Sequence, residues 1–388
     1  LGSILIHAGK ITAIGPTVVV PAGAQVLDAN GMIVYPGFIN GYTTDGLKIP
    51  DAPANGTAPE SRTTAPAGMF HENRKGVRAD VVAAKCLSLK SEISSNYAQG
   101  VTTALISSGS GSIRGNAAVV DYTSAGAVLV PNAGTELSFR GGGGGGGAGY
   151  PGTLFGVIAN LRQWLADAQY YAGQSKPKPD SSLDNLKPLV TGQVSALFNV
   201  DSPRDISRAA RISDEFNLKM EVLGGREAYR AIDVLKRKSA AVIVDVDPGT
   251  EPSLKPDTGP GASPPEVLEE RHATWVEHTE NAKKLDAAGI PYAFCAGMTG
   301  LSDYLKNVRR VIGTGLPRDA ALRALTSGAA HLLGVDDRVG TIEVGKLANL
   351  VIMTGDFADA KSEVQSVVVE GVVTVVKKPA PPVPGAKK

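Results

Sequence analysis

Tyr35-Pro36-Gly37-Phe38-Ile39-Asn40-Gly41-Tyr42-Thr43-Thr44-Asp45 is where a small β unit gives way to a long βα series. Upstream, residues 3 to 28 read as short strands: Ile4 to Ile6, then Ile11, Ala13 and Ile14, then Val18 to Val20. They are separated by Ala8-Gly9-Lys10, Gly15-Pro16 and Pro21-Ala22-Gly23, where glycine and proline break the chain into turns. These strands are too few to enclose a core. Matching pieces lie at the far end: Val339 to Lys346, Ala348 to Met353, Ser366 to Gly371 and Val372 to Val376. Each half has apolar faces that need cover, so one β-sandwich built from residues 1–36 and 338–376 is the simplest solution.

Downstream of Asn40, a polar stretch to about Gly76 reads as a long surface loop. Helical spacing then runs from Ala79 to Ala98 (Val82, Cys86, Leu89, Ile93, Tyr97) and stops at Gly100, before the buried strand Val101 to Ile106. Ala117 to Asp121 and Ala127 to Val130 continue the β signal, and Pro151 to Tyr171 is a strong helix. Strand and helix then alternate: Val194 to Asn199, Ser202 to Phe216, Lys219 to Leu223, Arg226 to Arg237, Ala241 to Val246. The series ends with helix His272 to Ala288, strand Tyr292 to Cys295, and helices Asp303 to Ile312 and Pro317 to Leu333. Repeated βα units of this length predict an α/β fold, a distorted (β/α)8 barrel over residues 37–337, whose chemistry sits at the C-terminal strand ends.

Composition narrows the function classes. In 388 residues, 39 Lys and Arg against 38 Asp and Glu give a net charge of +1, so nothing marks a nucleic-acid or anionic-membrane binder. Cys86 and Cys295 form no CxxC pair and no disulfide framework. No apolar run approaches the ~20 residues of a membrane span. Arg140 and the glycines 141–147 match neither GxxxxGK[ST] nor a dinucleotide GxGxxG between strand and helix. A flexible loop is the plain reading of that run, and an anion clamp for a sugar or nucleotide a distant alternative. Residues 377–388, rich in Pro, Ala and Lys, read as a solvated tail.

The stretch Tyr35–Asp45, the phrase His7 to Gly15, Gly100-Val101-Thr102-Thr103, Asp205-Ile206, Ala320 to Thr326, Val339 to Ala348 and Val369-Glu370-Gly371 together resemble the amidohydrolase superfamily, near its imidazolonepropionase-like branch. The resemblance covers most of the chain and implies hydrolysis of cyclic amide C–N bonds, a zinc ion and a homo-oligomer. It also implies a strand or two before Ile4, so the N-terminus reads as incomplete and an exported or periplasmic location stays open.

The ligand positions that the resemblance implies do not carry the family's ligands. Its His-x-His pair falls on Tyr42 and Thr44, its fifth-strand histidine on Asn199 with a second polar position at Asp201, its sixth-strand histidine on Gly224, and its eighth-strand aspartate near Gly297. A hydrolytic zinc needs about three protein ligands and one open position, and Tyr42, Thr44, Asn199, Gly224 and Gly297 do not supply them. The expectation is therefore no metal. Asp45, Asp121 and Asp201 have the oxygen chemistry of a harder ion, but a strand-end aspartate more commonly caps a turn or the following helix, and that is the stronger reading. His71 lies in the long loop, and His7, His272, His278 and His331 lie away from the strand ends. Ser107, Ser108 and Arg114, in the Gly/Ser segment after the second barrel strand, offer a possible anion contact.

Two functions follow. The first is a pseudoenzyme that has lost metal-dependent hydrolysis and serves as a binding or structural oligomeric component, with a small molecule in the barrel mouth. The second is an active hydrolase of cyclic, non-peptide amide C–N bonds through a displaced site built from Asp45, Asp201, His71 or the serine-rich segment.

Overall fold

The computed structural model describes residues 2–49, 77–109, 111–123, 126–140, 153–255, 262–297 and 300–376. The glycine run, His71 and the tail 377–388 lie outside them, as does most of the long loop before residue 77.

Strands β1 (Ser3–His7) and β2 (Lys10–Gly15) form an antiparallel hairpin. Ala8 and Gly9, its two turn residues, both take positive φ, the primed geometry that suits the right-handed twist of a hairpin. Strand β3 (Ile33–Pro36) pairs antiparallel with β12 (Leu350–Met353), so the two ends of the chain share one sheet. That sheet has the order β14-β13-β12-β3, with β13 at Val364–Val369 and β14 at Val372–Val375. Ile11, Ile4 and Ile6 of the hairpin pack with Leu350, Ile352 and Val368 of the sheet. Val18 to Val20, expected as a strand, form none: Val19 and Val20 are exposed, and Pro16 and Pro21 on either side bar a ladder.

The central sheet has eight strands in sequence order. They are β4 (Phe38–Thr43), β5 (Val101–Ile106), β6 (Ile113–Asp121), β7 (Ala127–Ser138), β8 (Ala196–Val200), β9 (Met220–Gly224), β10 (Val242–Asp245) and β11 (Tyr292–Cys295). All adjacent pairs are parallel except those of β6, which runs against both β5 and β7. The short β segments read at 117–121 and 127–130 are thus the inner halves of one long hairpin.

No ladder joins β4 to β11 among the described residues, yet the two edges meet through side chains. The Asn40 carboxamide oxygen accepts from the Ala296 N–H at 3.1 Å, and the Tyr304 hydroxyl lies 3.2 Å from the carbonyls of both Ile39 and Phe294. A Cβ on Gly41 would stand 2.8 Å from Ile243 Cγ2 and 2.9 Å from the Phe294 carbonyl, so glycine there lets β4 approach β10 and β11. Ile39, Leu105, Val119, Leu197, Leu223 and Ile243, on six different strands, form one buried cluster.

The helices cover the other face, except the last, whose Ala329 and Ala330 belong to the inner cluster. Helix α1 is Ile93–Ala98, α2 Leu154–Gly173, α3 Ser181–Val190, α4 Pro203–Glu215 and α5 Ile232–Lys238. Then come α6 Pro265–Thr279, α7 Asn281–Ala287, α8 Tyr304–Gly313, α9 Arg318–Leu325 and α10 Ser327–Leu332. Thr153, Asp180 and Ser202 cap α2, α3 and α4 by accepting from backbone N–H groups of the first turn. Only the last six residues of the helix expected from Ala79 to Ala98 form one. Upstream, the Asn116 N–H bonds the Val81 carbonyl and the Lys48 N–H bonds that of Cys86, so other segments take the carbonyls a helix would use. No described helix is long and apolar enough to cross a membrane.

Candidate functional site

The C-terminal ends of the parallel strands bring together one buried charge that sequence reasoning missed. Glu136, on β7, is wholly buried, and its Oε1 accepts from the Arg114 guanidinium at 2.7 Å, the Tyr42 hydroxyl at 3.0 Å and the Asn199 amide at 3.0 Å. Its Oε2 is buried and has no partner among the described residues. Tyr42 and Asn199 stand where the resemblance implied two metal histidines. Burial, followed by the adjacent Glu136 charge, pushes the Tyr42 phenol well above its usual range, so it stays protonated and donates.

Arg114, on β6, stands almost opposite Glu136 in the β6/β7 hairpin, where Ile113 pairs with Leu137 and Asn116 with Thr135. Its other nitrogens are also engaged: Nε donates to the Gly111 carbonyl at 2.9 Å and Nη2 to Ser138 Oγ at 3.3 Å. Ser108 Oγ donates to the Arg114 carbonyl, and Ser107 Oγ is buried without a partner among the described residues. The segment expected to offer an anion contact therefore directs its guanidinium at an internal carboxylate.

The remaining predicted positions fall into two further groups. Gly224 ends β9 at φ +86°, and a Cβ there would stand 2.7 Å from Asp201 Oδ1. Gly297 follows β11 at φ +72°, and its Cβ would stand 2.2 Å from Asp245 Oδ1. Neighbouring carboxylates thus occupy the space that side chains at these two ligand positions would need. Asp245 Oδ2 accepts from Arg226 Nη2 at 3.0 Å, and its Oδ1 from the Asp247 N–H at 2.9 Å. Burial raises the Asp245 carboxyl above the usual range against both bonds. Burial also opposes the Arg226 charge, but Asp245, Asp201 and Asp247 outweigh it and hold the guanidinium above its usual range.

Thr44 and Asp45 are exposed, Thr44 against Gly109 and Asp45 in a cleft with Glu92, Asn96 and Gly297. Asp121 ends the reversed strand β6 and so lies at the opposite end of the sheet, across from Thr103 near the start of β5. It is buried against the terminal sheet, accepting from Thr103 at 2.6 Å and Asn349 at 2.8 Å, and burial lifts its carboxyl to about 6. His272 and His331 bond surface carboxylates, Glu251 and Asp336. Among the described residues, no three His, Cys, Asp or Glu side chains converge as a metal site requires.

Residues 268–374 match the family model described as "Amidohydrolase family". The fold is that of an amidohydrolase from Thermotoga maritima MSB8, at TM-score 0.76 and 22% identity over 95% of this chain and 94% of that one. A Xaa-Pro dipeptidase with bound methionine aligns at TM-score 0.54 and 15% identity, covering 96% of this chain and 95% of the other. A putative prolidase from Bifidobacterium longum aligns at TM-score 0.52 and 17% identity, over 96% and 89%. No curated protein matches the chain.

Proposed function

For this member of the amidohydrolase superfamily, we propose a role as a binding or structural component that has lost metal-dependent C–N bond hydrolysis. The observation that carries this is the Glu136 oxygen shared by Arg114, Tyr42 and Asn199. A zinc ion at these positions would need lone pairs from neutral imidazoles and an open coordination place for water. Here a protonated phenol and an amide NH2 point their hydrogens at a carboxylate, and a guanidinium supplies the positive charge. The residues present do not fit the ion. Asp201 and Asp245, filling the space beside Gly224 and Gly297, support the same reading.

The architecture that goes with it is a distorted barrel over residues 37–337, supported by the side-chain seam between β4 and β11 and by the inner cluster from six strands. A composite sandwich of residues 1–36 and 338–376 is supported by the β3/β12 ladder. A homo-oligomer is supported by β14, an edge strand whose Val372, Val373 and Val375 are all exposed. Sedimentation showing only monomer at micromolar concentration would remove the oligomer from the account.

A second reading, hydrolysis of cyclic amides through a displaced site, has one specific support: a buried carboxyl at a strand end, Asp245, with the raised affinity for protons that suits a general acid. The two readings part in one assay. Under the first, neither the native protein nor Tyr42→His with Thr44→His, supplied with zinc, opens cyclic ureides or lactams. Turnover by the native protein that Asp245→Asn abolishes would establish the second.

A further inference from the structure

We propose that two copies of the chain join edge to edge through strand β14, antiparallel across a twofold axis at Thr374, so that their terminal sheets run on as one. This rests on the oligomer proposed above and names its contact. β14 forms one edge of the sheet β14-β13-β12-β3, and all its side chains are exposed. Sheet edges in folded proteins are blunted by a charge, a proline or a bulge that stops further pairing. The other edge, β3, ends in Pro36, whereas residues 372–376 read Val-Val-Thr-Val-Val.

The backbone register decides how a second copy fits. Glu370 and Gly371, both at positive φ, make the two-residue turn between β13 and β14, so Val369 pairs with Val372 and Val367 with Thr374. The Val376 N–H bonds the Gln365 carbonyl at 3.0 Å. Bonding alternates along an antiparallel ladder, so Val372, Thr374 and Val376 direct their backbone groups at β13, while Val373 and Val375 turn theirs to the free edge. Pairing Val373 of each copy with Val375 of the other uses every one of these outward groups. It is the one antiparallel register that does so, and it sets Thr374 opposite Thr374 and Val372 opposite Val376. The stretch reads the same in both directions, so the pairs are β-branched throughout, with a Thr–Thr pair at the axis, both favourable across strands. In the same count Glu370 falls opposite sequence position 378, a lysine, and no like charges meet. Contact through residues 372–376 alone is far smaller than the roughly 20–30 residues a side of a standard interface, so the dimer is weak and depends on concentration.

The test is sedimentation of the full chain from about 1 to about 100 μM, with variants at exposed positions of β14. Val375→Pro removes an outward N–H and keeps the bonds to β13, and Thr374→Lys sets two like charges face to face. A dimer that each of these weakens at least tenfold would support the proposal. So would a covalent dimer of Thr374→Cys on oxidation that the native chain, with Cys86 and Cys295, does not form. If the proline variant fails to fold, the exposed Thr374→Lys decides. A dimer unchanged in both variants, or one in which Thr374→Cys does not cross-link, would overturn the pairing and leave the oligomer standing. Monomer at every concentration would end both and give the edge to a different partner.

Discussion

Replacing Arg114 by methionine keeps much of the side-chain volume and removes the one cation bonded to Glu136 among the described residues. The pair is buried on both sides, with side-chain exposures of 7% and 0%. Glu136 would keep two neutral donors, Tyr42 and Asn199, and no counter-charge. Removing one partner of such a pair costs about 3–5 kcal/mol, because it leaves an uncompensated charge in a medium that solvates it poorly. Adding Glu136→Gln removes that charge while a carboxamide oxygen still accepts from Tyr42 and Asn199. Arg114→Met/Glu136→Gln should therefore recover all but about 1–2 kcal/mol, the residue of lost bonds to Gly111 and Ser138. Urea unfolding of the single and double variants gives the cycle. A single-variant cost under about 1 kcal/mol, or a double that is the sum of its singles, would show that Glu136 carries no buried charge and would refute the reasoning.

Asp121, lifted to about 6 by burial, holds a proton in the folded state that the unfolded chain, with the ordinary carboxyl value of 3.8, has lost. Its contribution to stability therefore falls as pH rises from about 4 to 6, by about 3 kcal/mol; a carboxyl NMR titration with its midpoint below 4 would contradict this. Gly297→Asp should cost at least about 2 kcal/mol, since the position has φ +72° and its Cβ would press on Asp245. Asp245→Gly in the same chain should recover part of that in thermal unfolding. Tyr42→His with Thr44→His should bind zinc no better than the native chain by competition with a chromogenic chelator, since Gly224 and Gly297 still offer no ligand and Asp201 and Asp245 fill the space beside them.

Much of the central sheet was legible because its apolar runs are short, with Gly100, Gly224 and Gly297 bounding β5, β9 and β11. β5, β8, β9, β10 and β11 lie within a few residues of their expected places, and Ser202 caps α4 where the sequence placed that helix. The Ala79 to Ala98 segment misled because helical spacing of Val82, Cys86 and Leu89 says nothing of the long-range bonds that Asn116 and Lys48 make to its backbone. Helix α3 went unread because Pro188 sits inside it. His272 to Ala288 reads as one helix yet breaks at Glu280 into α6 and α7.

At the site, the loss of histidine was visible, but its replacement was not. Glu136 did leave a signal: a lone charge in the otherwise uncharged run Thr135-Glu136-Leu137-Ser138, which needs a partner if it faces inward. Recognising Arg114 as that partner requires the β6/β7 register, which depends on bulges that periodicity does not reveal. Asp201 was named from the sequence as a second polar position, but that it and Asp245 are set over the two glycines follows only from the close approach of neighbouring strands.

The central claim is that Tyr42, Asn199 and Arg114 serve a carboxylate where a hydrolytic ion would otherwise sit. It is tested most directly by elemental analysis of protein purified without chelator, together with anomalous diffraction at the zinc edge. The account predicts less than about one zinc in ten chains and no anomalous peak at the strand ends. One tightly held zinc per chain, bound by residues from two or more strands of the central sheet, would contradict it.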